Sequence, residues 1–211
     1  MFITFEGGEG SGKTTLLRRI QQWYELQGQE VVPTREPGGT SLGDDIRALL
    51  LESGEGHGPK ICPRAELLLF LGVRAQHVHE KIKPALAAGK VVLCDRFSDS
   101  TVAYQGFARE LGIAETMRFC QFAENGLVPD LTLYLDIDPA LGLERAKRTV
   151  KNEINDRFEN EVVDFHQKVR NGFLTLADLN PRRIRILDAA KSPDEVFDQA
   201  IQVIKHVQKA H

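Results

Sequence analysis

Cysteine is scarce, positive charge is not in excess, and no apolar run is long. Each shortfall removes a class of protein. Three cysteines, Cys62, Cys94 and Cys120, are too few for a disulfide framework, and without a C-x-x-C pair they do not describe a zinc site. They read as small core residues in a reducing compartment. Lys plus Arg number 27 against 30 Asp plus Glu, a formal net charge of -3, which argues against a chain that lives on a nucleic-acid backbone. Any anion must then be bound by cations gathered locally. The longest apolar run, Leu67 to Val73, falls far short of the roughly 20 residues that span a bilayer. The apolar start is broken at Glu6, so no signal peptide is read there. A soluble cytoplasmic protein with neither membrane nor nucleic-acid partner is expected. Internal repeats and an interdomain linker are also lacking, so residues 1–211 are read as one domain around one core.

What the chain does have is Gly7-Gly8-Glu9-Gly10-Ser11-Gly12-Lys13-Thr14, which meets G-x-x-x-x-G-K-[ST] at every fixed position. Glycines let the backbone turn tightly with its N–H groups inward, so the loop and the following helix N-terminus can wrap a triphosphate. In that reading Lys13 reaches the outer phosphates and the Thr14 hydroxyl faces Mg²⁺. The β-prone Phe2-Ile3-Thr4-Phe5 precedes the loop, and Leu16, Leu17, Ile20, Trp23 and Tyr24 follow it at helical spacing. Strand, loop and helix is the order the motif needs.

The alternation continues. Val31 to Thr34 reads as a second strand leading into Arg35-Glu36-Pro37-Gly38-Gly39-Thr40. Thr40 or Ser41 then caps a helix with Ile46, Leu49 and Leu50, and Ser53 to Pro59 reads as a loop. A long helix from Pro63 carries Leu67, Leu68, Leu71, Ala75 and Val78 on its apolar side, with Phe70 and Arg74 sharing a face at i,i+4. Val91 to Cys94 is a buried parallel strand delivering Asp95 and Arg96 at its C-terminal end, where ligands sit in such sheets. Ser98 to Gly106 is a polar, aromatic-containing segment before a helix around Met117 to Ala123. Leu131 to Leu135 and Ile184 to Asp188 are further strands. Between them lie a helix through Leu141, Leu143 and Ala146, a basic stretch from Arg145 to Arg157, and a helix marked by Phe165, Val169, Phe173, Leu176 and Leu179. Ser192-Pro193-Asp194-Glu195 announces the last helix as a capping box. The fold class is α/β, with a five-stranded parallel sheet flanked by helices.

A phosphate loop alone leaves the activity open, but N-K-x-D is absent, which removes a guanine-specific switch. Arg35, Arg47, Arg74 and Arg96 fall near strand ends and turns, where guanidinium groups suit a second phosphate. For Arg35 and Arg47 a surface charge is an equal alternative. Asp95 reads either as a partner of Mg²⁺ or as half of an ion pair. A hydroxyl acceptor would need a carboxylate base, whereas a phosphate is already a nucleophile, so several arginines point to a monophosphate acceptor. The basic stretch is either a flap that closes over the transferring group or a solvated helix.

Together these residues resemble the thymidylate kinase family: F-E-G-x-E-G-x-G-K-T-T at Phe5 to Thr15, R-E-P-G-G-T at Arg35 to Thr40, Phe70 with Arg74 in L-L-L-F-L-G-V-R-A-Q-H, Asp95-Arg96-Phe97, Ala103-Tyr104-Gln105-Gly106 and Leu135-Asp136-Ile137-Asp138-Pro139. The resemblance implies a P-loop nucleoside monophosphate kinase fold with a basic lid at about 142–158, ATP and Mg²⁺, dTMP as acceptor, and a homodimer. It implies that Phe70 stacks on thymine, Arg74 bonds the base, Thr101 and Gln105 read its edge, Tyr104 crowds the sugar, and Glu9 lies near the 3′-hydroxyl. Arg96 holds the dTMP phosphate with Arg35 or Arg47, and Pro37 and Ser100 complete the substrate set. Gly10 and Ser11 stand where a P-loop arginine would, so the resemblance is to the lid-arginine type. Arg145 or Arg148 is then the catalytic lid cation beside Lys13 and Arg96. Another monophosphate or deoxynucleoside kinase, or a nucleotide-dependent switch, remains the alternative.

Overall fold

A computed structural model of the chain describes residues 1–52, 61–149, 158 and 161–210. Five strands, β1 (Phe2–Glu6), β2 (Val31–Arg35), β3 (Val91–Asp95), β4 (Leu131–Asp136) and β5 (Ile184–Asp188), form one sheet in the order β2-β3-β1-β4-β5. All neighbouring pairs are parallel. β1 is buried along its whole length at the centre. Pro33, which has no N–H to give a ladder, lies on the edge strand β2, where that loss costs least. The register sets Phe5 beside Asp95 and Arg35 beside the same Asp95, so three strands end level with one another. That shared end is where the phosphate loop begins.

The helices are α1 (Lys13–Glu25), α2 (Ser41–Glu52), α3 (Pro63–His77), α4 (Lys83–Ala87), α5 (Ser98–Thr101), α6 (Ile113–Glu124), α7 (Pro139–Thr149), α8 (Val163–Leu179) and α9 (Pro193–Ala210). Strand side chains alternate between two cores. Ile3, Phe5 and Leu93 pack with Leu16 and Ile20 of α1 and Ala200 and Ile204 of α9, while Phe2, Val92 and Cys94 meet Val78, Ile82 and Phe97 on the opposite face. A third cluster joins α3, α6 and α8 around Tyr104 and Phe173. The expected cap of the last helix is present: Ser192 Oγ accepts from Glu195 N (3.3 Å), and Ser192 N donates back to Glu195 Oε2 (3.1 Å). Thr40 caps α2 by accepting from Gly43 N (3.0 Å).

One segment is defined and two expectations are corrected. Residues 98–106, read only as a polar, aromatic-containing segment, are helical: α5 runs into a π-helical turn over Val102–Ala108. Its polar residues hide the apolar period because its inward face lines a site. On α3, Leu68 is 62% exposed and Ala75 is also exposed; Glu66, Arg74 and His77 share the buried side instead, carried there by ion pairs and hydrogen bonds. Cys94 and Cys120 are core residues, but Cys62, ahead of α3, is exposed, and all three are free thiols. The loop expected at Ser53 to Pro59 lies outside the described residues.

α7 crosses the phosphate loop through two glycines. A Cβ on Gly10 would stand 1.9 Å from Gly142 O, and one on Gly142 would stand 2.4 Å from Glu9 O. Gly142→Ala therefore forces the loop and α7 apart. We expect it to cost about 1–3 kcal/mol, which lowers the thermal midpoint by about 2–4 °C per kcal/mol in a chain of this size. Calorimetry checks this, and a raised KM for ATP accompanies it.

Candidate active site

The loop after β1 closes on itself around Lys13. Gly12, at φ 90°, turns the chain into α1, and Lys13 Nζ donates to Gly7 O (3.1 Å) and Gly8 O (2.9 Å), with Ser11 Oγ at 3.4 Å. Ser11 Oγ donates to Gly8 O (2.8 Å), which fixes the turn. Burial and the neighbouring Arg96 depress the Lys13 ammonium below its usual range, although Glu9 and Asp95 pull the other way. At the outer edge Thr14 Oγ1 donates to Asp95 Oδ2 (3.2 Å), so a hydroxyl from α1 and a carboxylate from β3 share one spot. These hard oxygens suit Mg²⁺, which takes one or two protein oxygens and completes its shell with phosphates and water. Among the described residues no three His, Cys, Asp or Glu converge as a complete metal cage.

Arg96 follows β3 with φ 66°, a left-handed conformation that costs a side-chain-bearing residue about 1–2 kcal/mol. Its backbone is held by Phe5 O (2.9 Å), so the β1–β3 ladder outweighs that cost. The turn throws the guanidinium back across the sheet end. NH1 donates to Gly7 O (3.0 Å) and Ser100 Oγ (3.2 Å), NH2 donates to Glu9 Oε1 (2.6 Å), and the group lies 5.1 Å from the centre of the Tyr104 ring. Tyr104 OH donates to the same Glu9 oxygen (3.2 Å). Burial raises the Glu9 carboxyl, but Arg96 and Lys13 outweigh it and the net shift is downward.

Beyond Arg96 opens a cavity of about 1100 Å³ between α2, α3 and the α5 segment. Phe70, Tyr104 and Phe158 form an aromatic wall, with Phe158 in edge contact with Tyr104 at 5.8 Å. Arg74, 1% exposed, lies at the base; its Nε donates to Glu36 Oε2 (2.9 Å) and NH2 to Thr101 Oγ1 (2.9 Å). The other Glu36 oxygen bonds His77 Nδ1 (2.9 Å), and His77 Nε2 bonds Thr34 Oγ1 (2.7 Å). Burial opposes the Arg74 charge, but Glu36 more than offsets it and the guanidinium is held above its ordinary value. Arg35, Pro37 and Arg47 line the β2–α2 side, where Arg47 NH1 donates to Pro37 O (2.8 Å). A phosphate loop thus opens directly into an aromatic, arginine-based pocket.

The thymidylate kinase family model matches residues 5–200. The chain is 48% identical over 208 residues to the thymidylate kinase of Protochlamydia amoebophila, covering 97% of this chain and 92% of that protein. It is 50% identical over 199 residues to that of Gloeobacter violaceus, covering 94% and 92%. The crystal structure of thymidylate kinase from Ehrlichia chaffeensis superposes with a TM-score of 0.78 at 32% identity, over 97% of this chain and 98% of that one. The chain belongs to the thymidylate kinase family.

For a thymidylate kinase, the residues expected from sequence are well gathered. Glu9, Lys13, Thr14, Arg35, Pro37, Arg47, Phe70, Arg74, Asp95, Arg96, Ser100, Thr101, Tyr104 and Gln105 all line the one cavity. Among the described residues, the two expected lid cations, Arg145 and Arg148, do not line it. Arg145 donates to Ala189 O (2.7 Å) and Ala190 O (3.1 Å), and Arg148 pairs with Glu144 (2.5 Å) in solvent. Lys151, Arg157 and most of the lid expected at 142–158 beyond α7 lie outside the described residues.

Sequence reasoning missed the groups behind the contacts. Glu66, Phe70, Arg74 and His77 follow the i, i+4, i+8, i+11 stripe of α3, a signal that could have found the first and last. Glu36 sat in a quoted motif without a role, and Phe158 was overlooked beside the basic run. Glu6, fully buried at the end of β1, likewise sat in the quoted motif at Phe5 to Thr15 without a role. Its Oε2 accepts from Ser100 Oγ (2.5 Å) and its Oε1 from Phe97 N (2.8 Å), so it braces the hydroxyl that meets Arg96. Burial, then Asp99 nearby, pushes this carboxyl up to about 8.

A carboxyl raised on folding binds its proton more tightly in the native state. Its contribution to stability is complete below the unfolded value near 4.5 and is lost as pH rises through about 8. The thermal midpoint should fall between pH 5 and 9, and Glu6→Gln should flatten that fall. An equal slope in both proteins would remove Glu6 as its source.

Proposed function

We propose that this thymidylate kinase transfers the γ-phosphoryl group of ATP to dTMP, giving dTDP and ADP for dTTP and DNA synthesis. The observation that carries the reading is Arg96, which bonds the phosphate loop at Gly7 and Glu9 and also lines the aromatic cavity. One guanidinium therefore faces donor and acceptor phosphates together. Loop N–H groups and Lys13 bind the ATP phosphates, and Arg96, with Arg35 or Arg47, draws the dTMP phosphate into line. That acceptor is already anionic, so no general base is assigned; the work is positioning and charge neutralisation. Thr14 and Asp95 would hold Mg²⁺, which supplies further positive charge at the phosphate oxygens.

Phe70 offers its ring to the base, Arg74, Thr101 and Gln105 meet the polar edge, and Tyr104 with Glu9 takes the sugar. Pro37 and Ser100 complete the acceptor wall. Of the two lid cations, we assign Arg148 to the transferring group, because its exposed pair with Glu144 is worth only about 0–1 kcal/mol to break. Arg145 instead braces α7 on the end of β5. We take residues 1–211 as one kinase domain with the lid at about 142–158.

A homodimer is supported by exposed apolar side chains on three adjoining helices: Leu42 and Leu49 on α2, Leu68 on α3, and Phe119 and Phe122 on α6. Among the described residues no helix is long and apolar enough to cross a membrane, and we assign the enzyme to the cytoplasm. Light scattering should give twice 23.6 kDa, and Phe122→Asp should shift it toward the monomer.

An ADP-release assay with ATP, Mg²⁺ and dTMP, dUMP, dCMP, AMP, GMP or thymidine tests the reaction. Fast turnover is expected with dTMP, with dUMP weaker by the roughly 1–3 kcal/mol of one methyl group. Chelation should abolish turnover, and Arg96→Ala should lower kcat by about 10²–10³. ADP release indifferent to every acceptor would overturn the proposal.

A further inference from the structure

The amide of Gln105 can present either end to the cavity, and the two ends select different bases. Gln105 and Glu66 are each 1% exposed, and Gln105 Nε2 donates to Glu66 Oε1 at 2.8 Å. Glu66 stands on the first turn of α3 and is not part of the cavity lining. A carboxylate only accepts hydrogen bonds, so the NH₂ end of the amide must be the one that faces it. Arg109 Nε, 3.6 Å from the same oxygen, adds cationic company. Turning the amide over would set two acceptor oxygens against each other in a dry site. Gln105 Oε1 is thereby the end left for the cavity.

A second rail supplies the complement. Thr101, one helical turn before Gln105, accepts from Arg74 NH2 (2.9 Å), and Phe70 lies midway between Glu66 and Arg74 on α3. Beside the aromatic face, and apart from the Thr101 hydroxyl, which can donate or accept, the pocket therefore offers a fixed acceptor, the Gln105 oxygen, and a group that can only donate, the Arg74 guanidinium. This pattern fits a pyrimidine with a ring N–H beside a carbonyl. Cytosine presents the inverse, a bare ring nitrogen beside an amino group, and would meet acceptor with acceptor and donor with donor. We propose that Glu66 is a positioning residue that holds the Gln105 amide in one sense and so makes the enzyme reject cytosine nucleotides without touching them. The inference rests on the dTMP kinase reading above.

The test compares kcat/KM for dTMP and dCMP in three proteins. Wild-type turnover of dTMP is measured first, and its absence would sink the functional reading itself rather than the role of Glu66. In Glu66→Gln the new amide can meet Gln105 with either end, so both senses become available. The dTMP/dCMP ratio should then fall by about tenfold or more, through a higher KM for dTMP and gained dCMP turnover, with the KM for ATP unchanged. In the exchanged pair Glu66→Gln/Gln105→Glu, the amide donates to the carboxylate, whose other oxygen remains an acceptor toward the cavity. Its ratio should return to within about threefold of wild type. Thermal midpoints report whether each variant folds, and should Glu66→Gln alone fail to fold, the exchanged pair decides. An unchanged ratio in Glu66→Gln, equal losses on both substrates, or a folded exchanged pair without selectivity would overturn the proposal.

Discussion

A guanidinium taken out of water costs several kcal/mol unless an acceptor of opposite charge meets it, and the placement of Arg96 against Glu9 is the constraint on which this site depends. The left-handed turn after β3, the level ends of β1 and β3, and the short loop after β1 are each needed to bring that pair to 2.6 Å. Behind Arg96 stand Ser100 and then Glu6, so the side chain is gripped from the sheet as well as from the loop. A group that must stabilise charge as it develops is useful only if it need not move to do so. The packing of this arginine meets that condition before substrate arrives.

The same solution recurs at the cavity, where Arg74 is held by Glu36, and away from it, where Arg183 is held by Asp99 and Arg170 by Asp136, each within 2.9 Å. Carboxylates behind arginines explain how a chain of net charge -3 can form an anion site. The basic side chains are few but aimed, and the acids that outnumber them serve partly as their anchors. Glu66 extends the pattern to a neutral group, since a fixed acceptor can orient an amide as firmly as it holds a cation.

Much of the fold was legible because each strand delivers its polar residues just after an apolar run, as Val91 to Cys94 does before Asp95, and each long helix repeats at a helical period. Where that logic failed, the failures lay at the site. The α5 segment carries Ser100, Thr101 and Gln105 inward, and α3 buries Glu66, Arg74 and His77 while Leu68 faces solvent. Periodicity rules assume that buried means apolar. A helix that lines a polar pocket breaks them by design.

By itself the sequence determined the phosphate loop, the parallel α/β class and, through several separate motifs, the family, since these depend on residue types at fixed short spacings. It also named most of the residues that line the cavity. Only the tertiary structure decided which carboxylate holds which arginine, because Glu9 and Arg96, Glu36 and Arg74, or Glu66 and Gln105 lie 38 to 87 positions apart and meet only through the sheet register and the packing of α3 on the α5 segment. It likewise took Arg145 away from the cavity and onto the end of β5. Spacing along a chain says what can bind a phosphate. Packing across the sheet says which groups are held still enough to do so.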